Sequence, residues 1–132
     1  MSQSPDTGVV LFANDVHRLA AFYEAVTSMR RTHEEPGLIV LASPHSELIL
    51  HSIPPQIAAQ YPVATPPVVR EDTAIKPFFR VASLAVARAA ASLQGGALRP
   101  VADEWGARGF RACEAHDPEG NVIQFREDAD TA

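Results

Sequence analysis

A single cysteine, Cys113, stands among 132 residues, so the chain closes no internal disulfide and suits a reducing compartment. No His-Cys pairing is visible near it, and it reads as a small buried hydrophobe on a strand rather than a reactive thiol. Runs of Lys and Arg are missing, and the formal net charge is −5, so the phosphate-neutralising patch that nucleic acid requires is not there and no nucleic-acid partner is expected. Membrane-length apolar runs and a secretory h-region are missing too, so no membrane contact is expected and the expected location is cytoplasmic. No Gly-rich phosphate loop, CxxC pair or Ser-His-Asp arrangement points to the chemistries those motifs serve.

What is present is ordinary globular material, 46% hydrophobic and 20% charged, of a length that matches one domain (residues 1–132) and buries roughly two thirds of its unfolded surface without staples. The run Val9-Val10-Leu11-Phe12 is β-rich and stops at Ala13-Asn14-Asp15, where Asn14 or Asp15 can cap a helix. Apolar positions Leu19, Ala20, Tyr23 and Val26 then recur at helical spacing to about residue 27. Strands are predicted over 30–34, 38–42 and 47–53, separated by the turns Glu35-Pro36-Gly37 and Ser43-Pro44-His45-Ser46. This first module covers about 8–53 and reads β-α-β-β-β.

Prolines at 54, 55, 62, 66 and 67 break the pattern and make 54–73 a long connector, a length that usually means a linker or a binding lid. A second module, about 74–127, repeats the order: a strand over 75–81, an Ala-rich helix over 84–93 capped by Ser83 and ended by Gly95-Gly96, then strands over 98–102, 109–115 and 121–126. Two such units can bury sheet faces that neither buries alone, which predicts an α+β fold. A ferredoxin-like sandwich needs fewer strands.

The last hairpin, Asp117-Pro118-Glu119-Gly120-Asn121-Val122-Ile123-Gln124-Phe125, joins a tight turn to an apolar strand. It resembles the final hairpin of the vicinal oxygen chelate superfamily, the glyoxalase, bleomycin-resistance and extradiol dioxygenase group, whose signature is Asp-Pro-x-Gly-Asn before a strand carrying a metal-binding Glu. The opening strand, Asn14-Asp15 and Phe22-Tyr23 resemble the start of the same family. The resemblance runs from Val9 to Glu127 and implies two β-α-β-β-β modules in a curved eight-stranded mixed sheet around a pocket, often completed by a second chain; a homodimer is therefore expected.

Metal-binding members of that superfamily place a ligand near the start of each module's first strand and another on its last strand, because a divalent cation needs converging lone pairs. The family's spacing carries the first-strand positions onto Gly8 and Lys76, neither of them a ligand, and the last-strand positions onto Ile49 or Leu50 and onto Gln124. The resemblance thus implies a pocket without a metal, and no cofactor is expected.

Other polar groups are placed near that pocket. His51 shares a strand face with Glu47 and Ile49, and is read as cavity-facing or as an edge-strand His. Lys76 puts a positive charge where the metal normally lies and suits a carboxylate, unless it is a solvated strand-end lysine. Trp105, the only Trp, lies between the sixth and seventh strands, where it can stack on a flat ligand while Glu104 and Arg108 fix its polar ends; the competing reading is a loop anchored by the indole. Arg70 joins Glu71 and Asp72 in a solvated cluster, Phe22 and Tyr23 read as core or interface aromatics, and His17, His33, His45 and His116 have no assigned role.

Two functional classes follow. The first is a metal-free protein that binds a small organic molecule through Lys76, Trp105, Arg108, His51, Gln124 and Glu104. The second is an enzyme of the same superfamily, a lyase, isomerase or dioxygenase. Its metal version needs a different strand register, and its metal-free version uses His51 or Glu104 as general base with Lys76 as electrostatic stabiliser.

Overall fold

Asp15 and Ser83 set the frame of the fold, because each caps a helix whose apolar stripe then decides which sheet face is buried. The computed structural model describes residues 5–129. The Asp15 carboxylate accepts the Arg18 N–H at 3.1 Å and starts α1 (Val16–Thr27), and Ser83 accepts the Val86 N–H at 3.2 Å and starts α3 (Leu84–Leu93). Both helices occupy the predicted residues. Ser28, at φ 61°, ends the first, and Gly95, at φ 88°, follows the second.

The strands are β1 (Thr7–Ala13), β2 (Arg30–Glu35), β3 (Leu38–Ala42) and β4 (Ser46–Ser52) in the first half, and β5 (Phe78–Arg80), β6 (Ala97–Leu98), β7 (Trp105–Ala107), β8 (Phe110–His116) and β9 (Val122–Asp128) in the second. Each half is an order β-α-β-β-β, as expected, with the third-from-last strand of the second half broken in two. The predicted strand over 98–102 stops at Leu98, because Pro100 has no N–H for the ladder and leads into a 3₁₀ turn at Val101–Asp103. β7 then resumes pairing on β8, so Trp105 sits on a strand rather than in a loop. The strand predicted over 75–81 is likewise only Phe78–Arg80, since Pro77 offers no donor beside it. In the connector, a single helical turn, α2 (Pro55–Ala58), opens with proline at its first positions, where the N–H is dispensable.

The strands form two mixed sheets, one of four strands and one of five, in the expected α+β, glyoxalase-like arrangement. The first is ordered β1-β4-β3-β2, and the second β5-β9-β8-β6 with β7 also on β8. β1 runs parallel to β4 and β5 parallel to β9, the remaining pairs being antiparallel. β1 and β5 are left as facing edges, with a groove of about 450 Å³ along Gly8, Glu47, Lys76 and Phe78. No helix among the described residues is long and apolar enough to cross a membrane.

One apolar core serves both halves. Helix α1 packs on α3 as well as on β3 and β4, and its Phe22 and Tyr23, both fully buried, meet Phe79 and Phe125 of the second sheet. Phe22 and Tyr23 stand edge-on at 5.0 Å, and Tyr23 lies 5.3 Å from Phe79. The last hairpin fastens this arrangement. The buried Asp117 accepts the Glu119 and Asn121 N–H groups at 2.9 and 3.1 Å, the Asn121 amide at 2.8 Å and the Tyr23 hydroxyl at 2.7 Å. Glu119 accepts the N–H groups of Asn14 and Asp15 at 2.9 Å each, just ahead of α1. Gly120, at φ 85°, lies against the Val68 carbonyl, and its own carbonyl accepts the Arg70 N–H at 2.8 Å, which seats the connector on the turn.

Candidate functional site

Side chains alternate along a strand, so the burial of Cys113, Ile123 and Phe125 against the helices turns Glu114, Gln124 and Arg126 to the opposite, open face of the second sheet. Glu114 pairs directly with Gln124 across the ladder, and Phe78 pairs with Gln124 from β5. Trp105 reaches the same face from β7, where it pairs with Ala112. The two-residue connection Arg108-Gly109, with φ of 42° and 84°, turns β7 into β8 and brings Arg108 alongside.

Glu114 is the hub. Its carboxylate lies 2.7 Å from the ammonium of Lys76, the only lysine in the chain, and accepts the Trp105 indole N–H at 3.0 Å and the Gln124 amide at 3.1 Å. Partial burial would raise its pKa, but the hydrogen bonds from Lys76, Trp105 and Gln124 outweigh this and hold it below the usual carboxylate range. The Gln124 carbonyl is taken by the Arg126 Nε at 2.5 Å. The Arg126 guanidinium in turn lies 3.7 Å over the Phe78 ring and 4.2 Å over the Phe110 ring, and Arg108 approaches Phe110 at 5.1 Å. A cavity of about 370 Å³ opens beside Glu114 and His116, walled by Val122 and by Val69 and Glu71 of the connector; its size is that of a small-molecule pocket.

Four of the six residues singled out from the sequence meet here: Lys76, Trp105, Gln124 and Arg108. Glu104 lies on the other side of the sheet, where Arg88 of α3 and Arg111 grip its carboxylate, the latter at 2.7 Å, and where Arg88 also reaches Cys113. Its side chain is only 7% exposed, and although burial pushes its pKa up, the two guanidiniums bring it below the ordinary value. His51 is on the open face of the first sheet, beside Phe12 at 5.8 Å, with Nδ1 against the Ser52 carbonyl at 2.9 Å. The strand register puts Ile49, not the buried Leu50, on that open face, opposite Val10. Glu114 and Arg126 escaped the sequence reading, although their even-numbered alternation with Gln124 along a hairpin was a usable signal.

A divalent metal does not fit this donor set. Gly8, Ile49 and Lys76 offer no ligand atom, Gln124 is engaged at both ends of its amide, and an ammonium already occupies the Glu114 carboxylate. Among the described residues no three His, Cys, Asp or Glu side chains converge.

No protein-family model matches the chain, and no curated protein matches its sequence. Solved structures do match. A glyoxalase/bleomycin resistance protein from Albidiferax ferrireducens T118 is 16% identical, with 91% of this chain and 95% of that one covered at a TM-score of 0.65. A glyoxalase/bleomycin resistance protein/dioxygenase family enzyme from Burkholderia phytofirmans PsJN is 16% identical, covering 95% and 99% at 0.66. The fosfomycin resistance protein FosX from Mesorhizobium loti is 11% identical, covering 98% and 95% at 0.64. At such identities the likeness carries the fold alone, and the fold of this chain is the glyoxalase-like one that those structures share.

Proposed function

We propose that the chain is a small-molecule binding protein, which holds an organic ligand on the open face of the second sheet without a divalent metal. The observation that carries this reading is the pairing of Glu114 with Lys76 at 2.7 Å, an internal cation where the superfamily's metal would lie. Trp105, 39% exposed, and Phe78, 56% exposed, supply apolar surface around this polar centre, the mixture by which a pocket gains affinity from burial and orientation from a few polar contacts. Catalysis by Glu104 is disfavoured, since a carboxylate held by two guanidiniums is a weak base.

The working unit in this reading is a homodimer. The open face of the first sheet carries Val10 and Phe12, 50% and 66% exposed, beside Val40 and Ile49, an apolar surface that a second copy would cover. A single thiol suits the cytoplasm as its location.

Metal analysis of the purified protein tests the central claim. No stoichiometric divalent ion and an unchanged melting temperature in EDTA are expected; a stoichiometric ion would overturn it. Sedimentation equilibrium tests the dimer, with Phe12→Glu expected to give a folded monomer.

A further inference from the structure

We propose that the ligand of this face is a planar aromatic carboxylate, and that Arg126 is the group that anchors its charge. The inference rests on the reading of the open face as a ligand site and adds the chemical class. Among the described residues the other charged groups at its centre are matched: Lys76 pairs with Glu114, and Arg80 pairs with Asp128. Arg126 meets no carboxylate there. Its Nε donates to the neutral Gln124 amide, and its two terminal nitrogens meet no acceptor among the described residues. The guanidinium carbon lies over the Phe78 and Phe110 rings, 3.7 and 4.2 Å from their centres, contacts that restrict its orientation and cover part of its faces. What remains open is the edge, the fork of parallel donors that matches a carboxylate in bidentate geometry. Arg108, also without a carboxylate among the described residues, adds a second positive charge 5.1 Å from the Phe110 ring centre.

The neighbours of Arg126 specify the body attached to that anion. Trp105 stands edge-on to Phe110 at 5.7 Å with its indole partly exposed, and Phe78 exposes more than half its surface. A compact inorganic anion would leave these rings in water. A flat ring joined to a carboxylate covers them while its charge meets the guanidinium.

The Trp105 indole N–H is the only one in the chain, and its NMR signal reports on this face alone. The probes are 2-naphthoate and its uncharged counterpart 2-naphthamide, titrated into the full-length protein. Naphthoate is expected to move the indole signal with an affinity at least tenfold above naphthamide, and to weaken as NaCl is raised. Arg126→Gln is expected to bring naphthoate down to the naphthamide level, and Arg126→Lys, which keeps the charge but not the fork, to retain part of the difference. Arg31→Gln, in ion pairs with Glu24 and Glu34 in the first half of the fold, serves as the control that leaves binding unchanged. Equal affinity for the two probes, without salt dependence, would overturn the anion anchor and leave the face as a binding site. Silence of both probes, with some neutral compound from a thermal-shift library moving the same signal, would overturn the ligand class alone. A signal that no library compound moves would overturn the class and the underlying site reading together.

Discussion

Tyr23 of the first helix donates its hydroxyl to the buried Asp117 carboxylate of the last hairpin at 2.7 Å, across 94 positions of sequence. Burial first, and the Asp117 charge second, push the phenol well above its ordinary pKa, so it remains the donor throughout the pH range in which proteins work. Tyr23→Phe removes one of four donors to Asp117 and is expected to cost about 1–2 kcal/mol. Asp117→Ala strands the Tyr23 hydroxyl and two buried backbone N–H groups at once, and is expected to cost about 3–5 kcal/mol. Urea unfolding at unchanged m-value measures both.

Gly120→Ala is expected to be nearly as damaging as Asp117→Ala, although it deletes nothing. At φ 85° an L side chain is strained, and the added methyl would run into the Val68 carbonyl of the connector. The loss should appear first as faster proteolysis between residues 54 and 73, because the connector's seat on the turn is what fails.

Glu114 links acid stability to an optical signal. Its folded-state pKa is depressed, so its contribution to stability is complete above the unfolded carboxylate value and disappears as pH falls through the lower folded value. Glu104, also depressed, acts with the same sign. Melting temperature should therefore fall as pH drops below about 4.5. Trp105 fluorescence should titrate with Glu114 in the folded protein, and Lys76→Met should move that midpoint upward. A midpoint unmoved by the substitution would contradict the ion pair as the cause.

Glu104→Gln separates support from binding. It leaves the Arg88 and Arg111 guanidiniums facing a neutral amide at a largely buried point, and with Arg111 47% exposed to screening solvent the expected loss is about 1–3 kcal/mol. Affinity for any ligand on the open face should be unchanged, since Glu104 lies behind the sheet. A change in affinity without a change in stability would reverse that assignment.

Much of this was fixed locally. Asp15 and Ser83 cap their helices, the 3.6-residue apolar stripes set both helix lengths, and Asp117, Pro118 and Gly120 make their turn from neighbours in sequence, so these elements are legible from short-range chemistry. The absence of ligand atoms at Gly8 and Lys76 was legible for the same reason. Tertiary structure decided the rest. That Glu114 is claimed by Lys76, 38 positions away, that Arg126 is clamped by Phe78 from another strand, and that Glu104 faces the helix all follow from strand pairing and from which sheet face the core covers. Likewise Pro77 and Pro100 cut the strands at 75–81 and 98–102, lifting Trp105 from an expected loop onto a paired strand. Pairing and burial depend on contacts between residues distant in the chain, and no local pattern records which distant partner a side chain meets.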